Sequence, residues 1–270
     1  MKTFFENKVV CITGSSQGIG KTTAQILGEF GAKIVLNGRN AEKLESTRKE
    51  LTEAGIECIG ITADLSIAED CQKLIDETIN HFGKLDVLIN NGGIASRGRI
   101  SETNAETWEN ILKINTLGVI NTTGFAIPHI QKSNGSIIII SSMAGKVGVP
   151  GHAGYSVSKM GLTAYAKALQ IEHQNDFHTG LVYVGFTKNE TQKQILNPDG
   201  SYTNLKERKG IKLATREDVA IAIAKTIVKR KKEITLTPLG KLQALMLRIS
   251  PKLVYLPLKK SYRDYDKMYD

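Results

Sequence analysis

The chain has 270 residues, 41% of them hydrophobic and 23% charged, which is ordinary globular usage and excludes a disordered chain. Net charge is +9, but twelve Lys/Arg against four Asp/Glu fall between Lys225 and Asp270, so the first 224 residues carry only +1. The basic character belongs to the C-terminal tail and says little about the main domain. Cys11, Cys58 and Cys71 are scattered with no C-x-x-C pair, which argues against a disulfide framework or zinc site and fits a reducing, cytoplasmic compartment. No apolar leader precedes the first strand and no run approaches a membrane span of about 20 residues, so neither a secretory signal nor an integral membrane protein is expected.

In chain order, short β-branched runs alternate with amphipathic stretches. Strands are expected at Lys8–Thr13, Lys33–Asn37, Glu57–Thr62, Val87–Asn90, Ser136–Ser141, Leu181–Gly185 and Ile234–Thr237. Helices are expected at Ile19–Phe30, Ala41–Ala54, from near Ser66 to Phe82, and Ala153–Phe177, with Gly31, Gly55 and Gly83 closing helices ahead of strands. Four consecutive isoleucines, Ile137 to Ile140, suit a strand buried on both faces. The alternation predicts an α/β fold: one doubly wound, Rossmann-type parallel sheet flanked by helices over residues 1–237, then a basic amphipathic extension over 238–270.

The first strand runs into Gly14-Ser15-Ser16-Gln17-Gly18-Ile19-Gly20. Glycines allow positive φ and close backbone approach, and the next helix offers free N–H groups to a pyrophosphate. The second strand ends at Gly38-Arg39 with no acidic residue to hold ribose hydroxyls. Arg39 can instead fork onto a 2′-phosphate, which favours NADP(H) over NAD(H). Asp64, followed by Leu65, is read either as an acceptor for the adenine amino group or as a helix cap. Asn91 and Gly92, after the fourth strand, would let backbone lie along the cofactor.

Tyr155 and Lys159 are four apart on an expected helix, hence on one face. A phenol has a pKa near ~10 and a neighbouring ammonium favours its phenolate, which makes the tyrosine a competent proton donor or acceptor. Ser142, at the end of the fifth strand, is placed to hydrogen-bond the substrate oxygen, while Ser141 is expected to point the other way.

With Thr13-Gly14-x3-Gly18-Ile19-Gly20, Asp64, Asn90-Asn91-x-Gly93, Asn115, Ser142 and Tyr155-x3-Lys159 in order, the chain resembles a short-chain dehydrogenase/reductase from about Lys8 to Thr237. The resemblance implies that Asn115, Ser142, Tyr155 and Lys159 form a catalytic tetrad. Lys159 would also bind the nicotinamide ribose, and Asn115 would hold a water in a proton relay. It further implies no metal, a small-molecule carbonyl or alcohol as substrate, and a homodimer or homotetramer. Two departures stand out. Gly92 replaces an alanine, a change expected only to loosen its loop. Val184 and Asn189 replace the proline and threonine usual after the sixth strand, leaving Thr187 or Thr191 to hold the carboxamide.

Gly145–Gly154 and Phe186–Lys212 read as long irregular stretches flanking the site, the second a candidate lid. Met143, Val147, Val149, Phe186 and Ile195 are candidate pocket walls or simple packing residues, and His152 reads as a surface histidine. In the tail, Leu239, Leu242, Leu245, Met246 and Ile249 recur at helical spacing with Lys241 and Arg248 between them, before Pro251. Such a stretch either covers the domain or a partner subunit, which is the reading preferred, or lies on an anionic membrane surface. The competing function is a noncatalytic nucleotide-sensing or scaffold protein on the same fold. Nucleic-acid binding ranks last, because the tail's basic residues lack interleaved aromatics except Tyr255, Tyr262 and Tyr265.

Overall fold

The computed structural model describes residues 1–188, 194–205 and 213–263. The chain opens with a short helix, α1 (Lys2–Phe5), whose Phe5 is buried and stacks on Phe30 with ring centres 6.2 Å apart. There follow β1 (Val9–Ile12), α2 (Gly18–Glu29), β2 (Lys33–Gly38), α3 (Ala41–Glu53), β3 (Cys58–Thr62), α4 (Ala68–Phe82), β4 (Val87–Asn90) and a two-residue β5 (Ala95–Ser96). Next come α5 (Ala105–Leu112), a π-helical turn (Lys113–Leu117), α6 (Gly118–Lys132), β6 (Ser136–Ser142), a single 3₁₀ turn (Met143–Gly145), α7 (Ala153–Glu172) and β7 (His178–Val184). The chain continues through β8 (Gln194–Leu196), β9 (Tyr202–Asn204), α8 (Arg216–Val228), β10 (Glu233–Thr235), α9 (Pro238–Ile249) and α10 (Lys252–Arg263).

The main sheet has seven parallel strands in the order β10-β7-β6-β4-β1-β2-β3, the doubly wound arrangement expected. Alternation along each strand feeds two cores. Val9 and Cys11 of β1, with Ile137 and Ile139 of β6, join Leu74 of α4 and Leu162 of α7 on one face. Val10, Ile12, Ile138 and Ile140 join Leu27 of α2 and Ile223 of α8 on the other. The isoleucine run is therefore split two and two between opposite faces, the burial pattern of a central parallel strand.

Side-chain caps start several helices. Asn40 accepts from the Lys43 amide at 2.8 Å, Asn104 from the Thr107 amide at 2.7 Å, and Thr215 forms a reciprocal capping box with Asp218. Gly83 closes α4 at φ 72°.

Several boundaries differ from expectation. Helix α4 starts at Ala68 because Ile67 precedes it in extended conformation. Strand β7 begins three residues early, at His178, where it pairs with Ser136. Helix α7 ends at Glu172, before Phe177. The stretch from Phe186 is partly ordered by pairing: β8 runs parallel to β5 and antiparallel to β9, making a three-stranded sheet beside the main one. Asn189, Thr191 and Gly210 lie outside the described residues.

Candidate active site

The glycine turn sits where β1 meets β2 and β4. Gly14 takes φ 60° and Gly18 φ 61°, the left-handed region that glycine enters without strain. A Cβ on Gly20 would come within 2.5 Å of the Gly14 carbonyl, so the turn closes on itself as tightly as backbone allows. Gln17 is the N-cap of α2 but makes no side-chain capping bond, so among the described residues its side chain leaves the first N–H groups of that helix uncapped. Uncapped donors at the positive end of a helix, beside a glycine turn, fit a dinucleotide pyrophosphate. Ser16, Gly18, Ile19 and Gly20 form the lip of this cradle.

A braced frame holds the turn. The Thr13 hydroxyl accepts from the amides of Asn91 at 3.0 Å and Gly92 at 2.9 Å. The Asn91 side-chain nitrogen donates to the carbonyls of Thr13 and Gly14, both at 3.0 Å. Asn37 is buried at the end of β2. Its amide nitrogen donates to the Ile61 and Ala63 carbonyls, and its oxygen accepts from the Gly14 amide at 3.2 Å. Thr13 and Asn37 were missed as positioning residues in the sequence. The available signal was a buried asparagine in an otherwise apolar strand, a residue type depleted from strand interiors.

Gly92 does more than loosen its loop. A Cβ there would come 2.4 Å from Leu65 Cδ1, so the missing methyl gives room for buried Leu65 to lie under the β4 turn. Asp64 does not cap α4, whose N-cap is Ile67 without a side-chain bond; its Oδ1 instead accepts from the Ser66 amide and hydroxyl, each at 2.8 Å, in the turn ahead of the helix. The same carboxylate lies 3.7 Å from Arg39 Nη1, with Arg39 half exposed. Gly38 leaves space that Ser16 uses, because a Cβ on Gly38 would fall 2.9 Å from Ser16 Oγ.

The tetrad residues come from three elements. Asn115 lies fully buried in the π-helical turn that interrupts α5 and α6, a wide turn common at functional sites. Its oxygen accepts from the Ile94 amide at 2.7 Å, and its nitrogen donates to the Ile94 carbonyl at 2.9 Å and to Ser158 Oγ at 3.1 Å. Ser158 in turn donates to the Tyr155 carbonyl at 2.8 Å. Asn115 thus ties the loop after β4 to the first turn of α7, and Ser158 is a linking residue that the sequence reading did not single out.

Lys159 is buried, and its ammonium donates to the Ile140 carbonyl at 3.1 Å. It stands 5.8 Å from the centre of the half-buried Tyr155 ring. A Cβ on Gly93 would lie 3.6 Å from Lys159 Nζ, and one on Gly14 would lie 2.7 Å from Gly92 Cα. The phenol, the ammonium and the glycine turn are therefore neighbours through Gly92 and Gly93. Ser142, at the end of β6, is half-buried and accepts from the Ala144 amide at 3.3 Å, whereas buried Ser141 donates to the Lys159 carbonyl at 3.2 Å.

Around this centre the outcome is mixed. Thr187 bridges to Ala214, and its hydroxyl donates to the Gly185 carbonyl at 3.3 Å. Val147 and Ile195 are buried packing residues, Met143 packs on the core, and Phe186 is exposed. His152 is not a surface residue: it is half-buried at the start of α7, with its Nδ1 2.7 Å from the Ser96 carbonyl. That contact ties the small sheet to the helix carrying Tyr155.

The sequence profile of the family described as short chain dehydrogenase matches residues 8–199. An uncharacterized oxidoreductase of Thermotoga maritima is 33% identical over 81% of this chain and 89% of its own length. An Arabidopsis thaliana protein named 11-beta-hydroxysteroid dehydrogenase-like 2 is 40% identical over 67% of this chain and 61% of its own length. Among solved structures, an alcohol dehydrogenase from Thermococcus sibiricus complexed with 5-hydroxy-NADP aligns at TM-score 0.75 and 25% identity, covering 86% of this chain and 96% of that one. A Burkholderia phymatum short chain dehydrogenase/reductase in complex with NAD shares the fold at TM-score 0.78 and 24% identity, over 91% and 95% of the two chains. The chain belongs to the short-chain dehydrogenase/reductase family of NAD(P)-binding oxidoreductases.

Proposed function

We propose that the protein is an NADP(H)-dependent oxidoreductase that interconverts a carbonyl and a secondary alcohol, with Tyr155 as general acid and base. The observation that carries this reading is the buried Lys159 ammonium beside the half-buried Tyr155 phenol, next to the glycine turn through Gly93. Bound nicotinamide supplies or accepts the hydride. Tyr155 gives its phenolic proton to the oxygen formed in reduction, and takes it back in oxidation. The Lys159 ammonium stabilises the phenolate left on Tyr155, at an electrostatic advantage because it is removed from bulk water. Ser142 donates a hydrogen bond to the same substrate oxygen. Asn115 keeps the loop after β4 and the start of α7 in register, and on this reading its main chain holds the relay water.

Gly14, Gly18 and Gly20 bring backbone to the pyrophosphate, with Ser16, Gln17 and Ile19 along the lip. Arg39 turns from Asp64 to the adenosine 2′-phosphate, which is why NADP(H) is preferred. Asp64, Leu65, Asn91 and Gly92 line the adenine side, and Thr187 receives the carboxamide. Leu117, in the π-helical turn before α6, and Val157, Met160 and Ile171 on α7 expose apolar surface that supports a homodimer or homotetramer.

Purified protein should oxidise NADPH faster than NADH in the presence of at least one member of a broad ketone and aldehyde panel. Tight NADPH binding with no oxidation across the panel would favour the noncatalytic alternative instead.

A further inference from the structure

Helices normally turn an apolar stripe inward and a polar one outward. Helix α9 does the reverse on its outer side. Leu242, Leu245 and Ile249, spaced three and four residues apart on one face, are 53%, 54% and 70% exposed. The side that rests on the domain carries buried Gly240, where a Cβ would meet Thr237 and Met143. Helix α10, packed on α9, repeats the pattern: Val254 is buried, while Leu253 and Leu256 are exposed among Lys252, Lys259 and Lys260.

Charge decides what such a surface meets. From Pro238 to Arg263 the sequence has six Lys/Arg and no Asp or Glu. Beside α9 an open cleft of about 530 Å³ lies against α8 and β10, and it shares Lys241, Leu245 and Arg248 with α9. Lys225 and Lys231 add to its wall. Among the described residues its one acidic member, Glu233, is already matched by Lys146 at 2.6 Å and Lys167 at 3.0 Å. The cleft therefore has an excess of positive charge next to an exposed apolar stripe.

We propose that α9 and α10 form a docking face for an anionic phospholipid bilayer. Leu242, Leu245, Ile249, Leu253 and Leu256 enter the headgroup–acyl boundary, the lysines meet the anionic surface, and the cleft takes a phosphate-bearing headgroup. No helix among the described residues is long and apolar enough to cross a membrane, so the pair lies on the surface. A second copy of the chain is the poorer occupant, because pairing the spans from Pro238 to Arg263 would set six positive charges against six. Thr237, the N-cap of α9, crowds Gly185 just beyond β7 with its side chain, so docking holds the C-terminal edge of the sheet near the membrane.

The test is sedimentation of the full chain with phosphatidylcholine vesicles and with mixed phosphatidylcholine–phosphatidylglycerol vesicles. The protein should pellet with the anionic vesicles, several-fold less with the neutral ones, and less as salt is raised. Lys252→Ala with Lys259→Ala and Lys260→Ala should lower the partition coefficient by roughly a hundredfold. Leu242→Ser with Leu245→Ser and Ile249→Ser should lower it at least about tenfold, with the thermal midpoint checked for each variant. The wild-type comparison between vesicle types needs no variant to fold. Absence of wild-type pelleting, equal pelleting on neutral vesicles, or full retention by the lysine variant overturns the proposal. So does a serine variant that changes the oligomeric state on sizing while vesicle binding stays unaltered. Because the readout is pelleting and not turnover, its failure and that of the catalytic reading are separate results.

Discussion

Lys159 is held by the end of β6: its ammonium donates to the Ile140 carbonyl at 3.1 Å while its own carbonyl accepts from Ser141 at 3.2 Å. The lysine is thus fixed at both ends by adjacent residues of one strand. Its buried ammonium stays beside the Tyr155 ring without depending on a bound substrate to hold it there. Preorganisation of this kind is what an electrostatic contribution to proton transfer needs.

Tyr155→Phe should therefore lower kcat by at least about a hundredfold, the range typical for loss of a positioned acid or base. NADPH affinity, read by fluorescence titration, should change little, because the ring and the Lys159 contact to Ile140 remain. Lys159→Met should lower both turnover and cofactor affinity. Turnover of the phenylalanine variant at the wild-type rate removes the tyrosine from the chemistry.

Gly20→Ala probes the cradle. The added Cβ would meet the Gly14 carbonyl at 2.5 Å and the Asn91 side chain at 2.6 Å, and the first of these is backbone that cannot swing aside. Overpacking of this sort costs about 1–3 kcal/mol. A lower urea midpoint with weakened NADPH binding is expected. By contrast, Gly124→Ala on α6, where no described atom lies within 4 Å of the new Cβ, should be neutral or slightly stabilising.

The architecture was largely legible because parallel strands advertise themselves: the Ile137 to Ile140 run and the glycine turn after β1 each have one physical reading in an alternating chain. The four residues proposed as the tetrad could be named from the resemblance and their spacing, but the geometry that joins them could not. Asn115 sits in a π-helical turn, and no local pattern in Lys113–Leu117 announces an extra residue per turn. The bonds from Asn37 to Ile61 and Ala63 link residues 24 and 26 positions apart, and their need arises from how β2 and β3 end together. His152 looked like loop surface because the β5 strand that covers it is two residues long. Strand pairing among Ala95–Ser96, Gln194–Leu196 and Tyr202–Asn204 was invisible for the same reason: short strands carry too little alternation to read.

Asp86 should set part of the acid limit of the fold. Burial pushes its carboxyl up, but hydrogen bonds from Lys8, the Val9 amide and Lys84 outweigh that and hold it below the usual carboxylate range. A depressed folded pKa means the stabilisation is fully present above the unfolded value of about 3.9 and is lost as pH falls through the lower folded value. Asp86→Asn keeps an acceptor for the Val9 amide and removes the charge. It should cost about 2 kcal/mol near neutral pH, the scale of a hydrogen bond to a charged group. As pH falls through that lower folded value, its unfolding midpoint should converge with that of the wild type. Urea titrations from neutral pH down through this fall check it, and a constant gap across the range would mean that the ionised form is not what stabilises.

On the proposed function, cofactor choice turns on Arg39. It stands 3.7 Å from Asp64, too long for a strong ion pair, and its side chain is half exposed. Such a pair is worth at most about 1 kcal/mol, so it can be exchanged for a phosphate at little cost. Asp64 keeps its two bonds from Ser66 whether or not the arginine stays. A guanidinium engaging the 2′-phosphate in a charge-assisted, two-pronged contact gains roughly 1.5–3 kcal/mol. Arg39→Ala should then weaken NADPH binding by roughly ten- to a hundredfold and leave NADH binding within about twofold of its original value. Equal losses for the two cofactors would mean that Arg39 never meets the phosphate. Arg39→Lys discriminates further: a point charge retains part of the attraction but not the planar fork, so its NADPH affinity should fall between those of the wild type and the alanine variant.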